Sequence, residues 1–451
     1  MFFESKDFVQ IIVENWQVLF FGIGDWEWLY IAALGYFWVM WGIRFILSRF
    51  YKPWKNDYVD ATTVIIPTYK EDKEILTESV NRVLSHSEDI VSDVIIVTDQ
   101  REPDITQWCQ VKWCMPRVRV IEATPGKRQA VRLGIEAATT ELVVIVESDT
   151  FATPNAINAL IKPFADAHVG GIVGDQLIYE PYKSVVNLFN NWVELIKYRL
   201  AVPALSLFGQ VTVLGGRCVA FRRSAVLPLM DSLVDEVFFG RQCVSGDDGR
   251  LTSLLMQAGW RSVYQSSAKF LTVSPPTLHT LSKQRLRWFR NSCRRTIRAL
   301  LSFQEPYLPE ADRRWVWKRP LAALQMIAVW TNSIVMGVLL VGVTGSILSG
   351  DWAFTGYTVP DVLIRLVIIL GLGMSIRRFI RIYPAIRETR SMYWIYVLVF
   401  PWYLILMWFV RLYAILTMNQ QGWVTRVGSG AGGFGPATQN KATTITPLEA
   451  H

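Results

Sequence analysis

The sequence predicts an α/β domain with a mostly parallel, three-layer sheet, inserted between N-terminal and C-terminal transmembrane helices. Two observations predict this arrangement. Of the 451 residues, 51% are hydrophobic, and long uncharged runs lie near both ends of the chain, which excludes disordered, collagen-like and ordinary soluble proteins. The middle of the chain alternates short β-branched runs with helical patterns, as parallel α/β sheets do. At about 250 residues, this middle part is long enough for a hydrophobic core.

Several apolar stretches are candidate membrane segments. The longest, 320–350, has 31 consecutive residues without a charge, and a helix needs about 20 to cross the hydrocarbon of a bilayer. The other candidate spans are 28–47, 359–376 and 391–410. The stretch 8–24 is either a further span or a helix lying in the membrane interface. We therefore expect a multi-pass protein of the plasma (inner) membrane.

Lys and Arg cluster beside these stretches, at 44–55, 313–319 and 377–390, whereas the loop 351–360 has none. The positive-inside rule therefore predicts that the middle domain is cytosolic. The expected division is an N-terminal membrane region (1–55), a cytosolic domain (56–278), a basic interfacial helix region (279–318), a C-terminal membrane region (319–418), a short polar segment (419–426) and a disordered tail rich in Gly, Thr, Ala and Pro (427–451).

Polar and acidic residues follow three of the predicted strands. The predicted strands are 61–67, 93–98, 117–123 and 141–146, and helical patterns cover 73–85 and 127–138. The residues just beyond the strand ends include Tyr69, Glu71, Asp99, Glu147 and Asp149. Ligands of parallel sheets bind beyond the carboxyl ends of the strands. We therefore expect these side chains to converge on one rim.

No glycine-rich phosphate loop follows the first strand, which argues against dinucleotide oxidoreductases and P-loop enzymes. A nucleotide bound without such a loop needs a divalent cation to balance its phosphates, and Asp149 is placed to supply a hard oxygen ligand. Asp149 is equally consistent with capping the helix that follows near Thr153. Both interpretations remain open from these residues alone.

Two further elements have more than one interpretation. Asp247 and Asp248 precede a helical run, so they either cap it or provide a general base. A later helical stretch holds seven basic residues within 16 positions, namely Lys283, Arg285, Arg287, Arg290, Arg294, Arg295 and Arg298. This stretch either binds anionic lipid or presents arginines to a diphosphate. Nucleic-acid binding is disfavoured, because no known nucleic-acid reader motif is present.

Taken together, five motifs occur in the order found in the processive family 2 membrane glycosyltransferases. They are Asp99, Glu147-Ser148-Asp149, Asp247-Asp248, Gln284-x-x-Arg287-Trp288 and Trp423-x-Thr425-Arg426. The likeness extends through 51–53, 65–69, 125–128, 263–266 and 283–288. The chain most resembles the hyaluronan synthases and the type 3 capsular polysaccharide synthases. The resemblance implies a GT-A-like nucleotide-sugar-binding domain and a polymer made from UDP-sugars.

The resemblance also implies roles for individual residues. Asp149 would bind Mg²⁺ or Mn²⁺, and Asp248, with Asp247 beside it, would be catalytic. The residues expected to bind the nucleotide sugar are Tyr69, Glu71, Asp99, Lys127, Glu147, Asp149, Arg287, Trp423 and Arg426. The residues expected to bind the acceptor are Gln284, Arg285 and Trp288. The implied partners are UDP-sugars, the nascent polysaccharide and the bilayer.

Two positions depart from the family pattern. The usual Asp-x-Asp begins with Glu147, and Val424 replaces a glycine. The expected donors are UDP-glucuronate with UDP-glucose or UDP-N-acetylglucosamine. The alternatives are a chitin or glucan homopolymer, a single sugar added to a lipid carrier, or a transporter or scaffold that only binds nucleotide.

If 391–410 crossed the membrane from the cytosol, Trp423 and Arg426 would emerge outside. A re-entrant segment broken at Pro401 would return them to the cytosol. We therefore predict that a cysteine introduced by Val427→Cys reacts with an impermeant thiol reagent only from the cytosolic side, relative to the parent chain. Labelling from outside would remove Trp423 and Arg426 from the site.

Overall fold

The computed structural model describes residues 26–87, 89–328 and 399–421, with a few single positions between 330 and 395. The predicted segments 8–24, 359–376, 423–426 and 427–451 lie outside the described residues, and most of 320–350 does too. The first described helix, Trp26–Phe50, covers the predicted span 28–47. Among the helices of the described part, none combines the length and the apolarity needed to cross a bilayer. The membrane regions therefore remain predictions.

The described part alternates strands and helices. The strands are β1 (Thr62–Pro67), β2 (Val91–Asp99), β3 (Val118–Ala123), β4 (Leu142–Val146), β5 (Thr150–Ala152), β6 (Val169–Ile178), β7 (Cys218–Arg222), β8 (Val237–Phe238), β9 (Arg241–Gln242) and β10 (Arg261–Thr272). The α-helices are α1 (Trp26–Phe50), α2 (Lys73–His86), α3 (Pro103–Lys112), α4 (Lys127–Ala137), α5 (Ala156–Ile161), α6 (Val185–Ile196), α7 (Val202–Ser206), α8 (Arg223–Val226), α9 (Met230–Val234), α10 (Asp247–Gln257), α11 (Leu278–Leu300) and α12 (Phe400–Leu416). Short 3₁₀ turns cover Lys162–Ala165 and Leu227–Leu229, and Lys197–Ala201 is π-helical.

Eight strands form one sheet in the order β3-β2-β1-β4-β7-β6-β10-β5. Strands β1 to β4 are parallel to one another, and β10 is parallel to β6. Strand β7 runs antiparallel to both β4 and β6, and β5 runs antiparallel to β10. The prediction of a mostly parallel sheet is therefore confirmed.

Helices cover both faces of this sheet. Alternate residues of a strand point to opposite faces, and in β1 Val64 and Ile66 enter one core while Ile65 enters the other. The first core includes Leu76 and Val80 of α2 together with residues of α3 and α5. The second core includes residues of α4 and α10. The structure therefore has the three layers that the sequence predicts.

The first four strands lie within two residues of their predicted bounds, but the other four strands of this sheet, β5, β6, β7 and β10, were not predicted. The glycines of β6 weaken its strand signal, and packing explains why they are there. A Cβ at Gly170 would lie 2.8 Å from the Cβ of Trp260, and a Cβ at Gly171 would lie 2.5 Å from a methyl group of Leu214. Glycine at these positions leaves room for the side chains of Trp260 and Leu214 to pack against the sheet. Both neighbours are distant in the chain, so local sequence patterns do not reveal the requirement.

Candidate active site

A cleft of about 570 Å³ opens at the carboxyl ends of β1, β2 and β4. Its floor is the rim predicted from the sequence, and its other walls are the loop before α10 and one side of α11. The predicted residues that line it are Tyr69, Glu71, Asp99, Lys127, Glu147, Asp149, Asp247, Asp248, Gln284, Arg287 and Trp288. Trp423 and Arg426 lie outside the described residues. The fold thus brings predicted site residues that are distant in the sequence together in one cleft.

One end of the cleft combines an aromatic ring with paired charges. The Arg101 guanidinium lies 4.4 Å from the centre of the Tyr69 ring. Arg101 also donates to both carboxylate oxygens of Asp99, at 2.7 and 2.6 Å. Burial would raise the pKa of Asp99, but the hydrogen bonds from Arg101 outweigh it and hold the pKa below its usual value. Nearby, Glu71 accepts a 2.6 Å hydrogen bond from the Ser148 hydroxyl. Arg101 was not among the residues predicted for the site.

The centre of the cleft contains a half-buried lysine between two carboxylates. The Lys127 ammonium, at the start of α4, donates to Glu147 and lies 3.2 Å from an oxygen of Asp247. Burial would raise the pKa of Glu147, but the charge of Lys127, aided by Arg217 and Arg287, lowers it to about 2. Glu147 is therefore ionised and engaged with Lys127. The first acid of the motif therefore has Lys127 as its partner.

The residues at the rim fit a divalent cation shared with a ligand. In the part of the chain that the structure describes, no group of three or more His, Cys, Asp or Glu side chains could hold a metal ion by itself. Asp149 lines the cleft beyond β4, next to the engaged Glu147. Mg²⁺ and similar hard cations are commonly held by one or two carboxylates plus phosphate oxygens. Asp149 with a bound diphosphate matches that pattern.

Asp248 is the carboxylate best suited to accept a proton. It lies in the first turn of α10, and one of its oxygens accepts a 2.7 Å hydrogen bond from the backbone N–H of Gly249. Burial and repulsion from Asp247 raise the pKa of Asp248, although the charge of Lys127 opposes them. A carboxylate whose pKa is raised toward the working pH is a more effective general base. Neither acid is the N-cap of α10, because that position is Gly246 and no side-chain cap hydrogen bond is present. Both acids lie in the first turn, where negative charge interacts favourably with the helix dipole.

A second cation stands beside Asp248. The Arg295 guanidinium donates to the carbonyl of Thr212 at 2.9 Å and lies 3.1 Å from where a Cβ of Gly249 would be. Burial lowers the pKa of Arg295 to about 10, although the charge of Asp248 opposes this shift. At neutral pH Arg295 is charged. It was predicted only as one of several basic residues of the helix.

The opposite wall is formed by α11. Gln284 and Trp288 face the cleft, and the side-chain oxygen of Gln284 is buried without a hydrogen-bond partner among the described residues. The guanidinium groups of Arg217 and Arg285 lie 5.2 and 4.6 Å from the centre of a Trp288 ring. Arg285 does not line the cleft itself: it is buried behind Trp288, where it contacts Asn190. Its role in acceptor binding stays a prediction.

Sequence reasoning missed three charged residues of this wall: Glu194, Lys197 and Arg217. Arg217 follows the glycines Gly215 and Gly216, and this pair could have indicated a close approach of the backbone to the site. A Cβ at Gly216 would lie 3.3 Å from the Lys127 ammonium and 3.5 Å from the Cβ of Asp248. A side chain at Gly216 would therefore crowd the centre of the cleft.

The segment after α12 contacts the loop that precedes Asp247. Arg290 of α11 donates to the Thr417 hydroxyl at 2.9 Å, and Arg294 donates to the Met418 carbonyl at 2.8 Å. The backbone N–H of Val244 donates to the side-chain oxygen of Gln421 at 3.4 Å. The end of α12 thus lies on the same side of the molecule as the cleft.

Known proteins resemble this chain over most of its length. A family model described as glycosyltransferase like family 2 matches residues 60–291, more than half of the chain. The chain is 27% identical over 404 residues to an N-acetylglucosaminyltransferase of Rhizobium leguminosarum bv. viciae, covering 87% of each protein. It is 26% identical over 409 residues to a hyaluronan synthase of Streptococcus pyogenes serotype M3, covering 85% of this chain and 88% of that protein. The resemblance predicted from the motifs is confirmed.

A solved structure shows the same fold. It is a mannosyltransferase of Pyrobaculum calidifontis in complex with GDP-mannose and Mn²⁺, with a TM-score of 0.55 and 14% sequence identity. The similarity covers 87% of this chain and 98% of the mannosyltransferase. The fold is therefore GT-A-like, as the sequence motifs implied.

The site geometry predicts different consequences for its two neighbouring acids. Asp149→Asn is expected to weaken Mn²⁺ binding in the presence of UDP roughly tenfold or more, because a carboxylate ligand is lost. Titration of free Mn²⁺ by electron paramagnetic resonance measures this change. Glu147→Gln serves as the matched control, because that carboxylate is engaged with Lys127. Equal weakening by both substitutions would show that both acids hold the cation.

Proposed function

Because the chain belongs to glycosyltransferase family 2, we propose that it is a processive, inverting polysaccharide synthase that uses UDP-sugar donors. The observation that carries the proposal is the placement of Asp248. This carboxylate with a raised pKa lies in the cleft between the rim that holds Asp149 and the wall that holds Trp288. A donor bound at the rim and an acceptor bound at the wall would meet there.

The rim suits a nucleotide. Tyr69 offers a flat ring for the uracil, while Glu71 and Asp99 offer acceptors for its N–H group and for ribose hydroxyls. Asp149 would hold Mg²⁺ or Mn²⁺ on the diphosphate, where the cation would neutralise charge on the leaving group. Arg287 lines the same cleft and can stabilise that charge as it develops.

The transfer is a direct displacement. Asp248 takes the proton of the acceptor hydroxyl as the hydroxyl oxygen attacks the anomeric carbon of the donor sugar. The bond from that carbon to the diphosphate oxygen breaks, and UDP leaves with the bonding electrons. Attack opposite the leaving group inverts the anomeric configuration. No covalent intermediate with the protein forms.

The acceptor wall supports polymerisation. The Gln284-x-x-Arg287-Trp288 motif accompanies chain elongation in the family, and Trp288 provides a flat surface for the terminal sugar. The segment 417–421 lies against the loop before Asp247, and the Trp423-x-Thr425-Arg426 motif begins two residues after this segment. We therefore propose that Trp423 and Arg426 close over bound UDP. The polymer would leave through the protein's own membrane helices, with the catalytic domain in the cytosol.

The proposed donors are UDP-glucuronate with UDP-glucose or UDP-N-acetylglucosamine. The alternatives are a chitin or glucan homopolymer and a single transfer to a lipid carrier. UDP release by detergent-purified protein with Mg²⁺ or Mn²⁺ tests them, with donors supplied singly and in pairs and products sized on a gel. We expect UDP release to need UDP-glucuronate plus one partner, and to yield long chains. Release from one donor with long products would indicate a homopolymer, and no release from any donor would contradict the proposal.

The raised pKa of Asp248 predicts that two substitutions shift the acidic limb of the pH profile in opposite directions. Because only the ionised carboxylate can accept a proton, activity is lost as pH falls through the raised pKa of Asp248. Asp247→Asn removes a like charge, which lowers the pKa of Asp248 and moves the acidic limb of kcat/KM to lower pH. Lys127→Met removes an opposite charge and moves that limb to higher pH.

The measurement is the pH profile of UDP release for the parent chain and both variants. Asp248→Asn is the reference for loss of the base, with an expected decrease in rate of about 10²–10⁴-fold. A limb that stays in place, or that moves in the same direction in both variants, would assign it to a group other than Asp248.

A further inference from the structure

Four charged residues, three of them buried, form a cluster next to Trp288, and the proposed transfer uses none of them. We call them the Glu194 cluster: Glu194, Lys197, Arg217 and Arg285. One oxygen of Glu194 lies 3.3 Å from the Arg217 guanidinium and 3.5 Å from that of Arg285. Lys197 is the third cation, and its ammonium donates to the Tyr198 hydroxyl at 3.1 Å. Three cations therefore surround one carboxylate.

The surplus positive charge affects the ionisation of the cluster. Burial would raise the pKa of Glu194, but Arg217, Lys197 and Arg285 outweigh it and lower the pKa. Burial lowers the pKa of Lys197, and the nearby Arg217 and Arg285 lower it further, although Glu194 and Asp248 oppose the shift. Buried charges are costly unless they are paired. Besides Glu194, the acids that act on these cations are Asp248, which attracts Lys197, and Glu147 and Asp149, which attract Arg217. In the proposed transfer each of these three acids has another role.

The cluster opens to the cleft beside the acceptor wall. Glu194, Lys197 and Arg217 all line the cleft, and the guanidinium of Arg217 lies 5.2 Å from the centre of a Trp288 ring. Lys197 begins the π-helical turn that follows α6, and such turns occur frequently at functional sites. A sugar packed on the flat face of Trp288 would place its ring substituents within reach of these cations.

We infer that the Glu194 cluster binds the carboxylate of a uronic acid at the growing end of the acceptor, with Lys197 and Arg217 determining this specificity. The inference rests on the proposed function and names the class of acceptor. The bound carboxylate supplies the missing negative charge. Because Arg217 packs against Trp288, the cluster borders the acceptor wall of the cleft. In this transfer step the acceptor chain ends in an acidic sugar, and the donor carries a neutral sugar.

The test compares acceptors that differ only in charge. The full-length detergent-purified protein receives oligosaccharides ending in glucuronate and the same oligosaccharides after reduction of their carboxyl groups. In the parent chain we expect the reduced acceptor to have a KM about tenfold higher or more, as loss of a hydrogen bond to a charged group implies. Lys197→Met should raise the KM of the acidic acceptor similarly and remove the preference.

Two variants separate specificity from structure. Lys197→Arg retains the charge and should retain much of the preference. Lys183→Met removes an exposed lysine of the preceding loop, paired at the surface with Glu180, and should change neither acceptor KM. The KM for the donor should respond to Lys197→Met far less than the KM for the acidic acceptor. Saturation-transfer NMR measures binding of the acidic and the reduced oligosaccharides directly, so the two can be compared even in a variant whose turnover is slow.

The outcomes distinguish the inference from the proposed function. If Lys197→Met changes the KM or binding of both acceptors equally, or of neither, the cluster is a structural ion-pair group and the inference is overturned. UDP release by the parent chain would then still support the transferase. If the parent chain releases no UDP from any donor, the proposed function fails, whereas a charge preference in NMR binding would still support the cluster as a carboxylate site.

Discussion

The contact on which the site depends is the half-buried ion pairing of Lys127 with Glu147 and Asp247. Burial lowers the pKa of a lysine, but the charges of these two acids, with Asp248 beyond them, outweigh that effect and raise the pKa of Lys127. One ammonium therefore joins the end of β4 to the start of α10. It keeps Glu147 ionised, and it limits the rise in the pKa of Asp248.

The neighbouring residue supports the same loop. Arg128, one position further along α4, donates to the Ser245 carbonyl at 2.9 Å and to Glu236 at 2.6 Å. Glu236 in turn lies 3.6 Å from Arg250 and 3.5 Å from Arg298 of α11. Burial would raise the pKa of Glu236, but these arginines lower it to about 2. A continuous set of buried ion pairs thus ties the start of α4, the loop before Asp248 and the basic helix together.

The basic helix illustrates what a sequence pattern leaves open. Its spacing was consistent with lipid binding or with a diphosphate, and the structure shows a third use for several of its arginines. Arg290 and Arg294 contact the segment after α12, and Arg295 contacts the Thr212 carbonyl. Arg298 lies beside the buried acids Glu236 and Glu305. Arg287 and Trp288 line the cleft. Charge count and periodicity cannot distinguish these partners, because the partners lie far away in the chain.

The sequence by itself determined the strands β1 to β4, the helices α2 and α4 and the acids at the strand ends, but not α3. Those features follow from local periodicity and from the rule that parallel strands end at one edge. The tertiary structure decided the rest. Lys127 and Asp247 are 120 residues apart yet form an ion pair. Arg217 and Trp288 meet across the cleft, and β7 is inserted between β4 and β6. Such contacts depend on chain crossings and close packing that local sequence patterns do not encode.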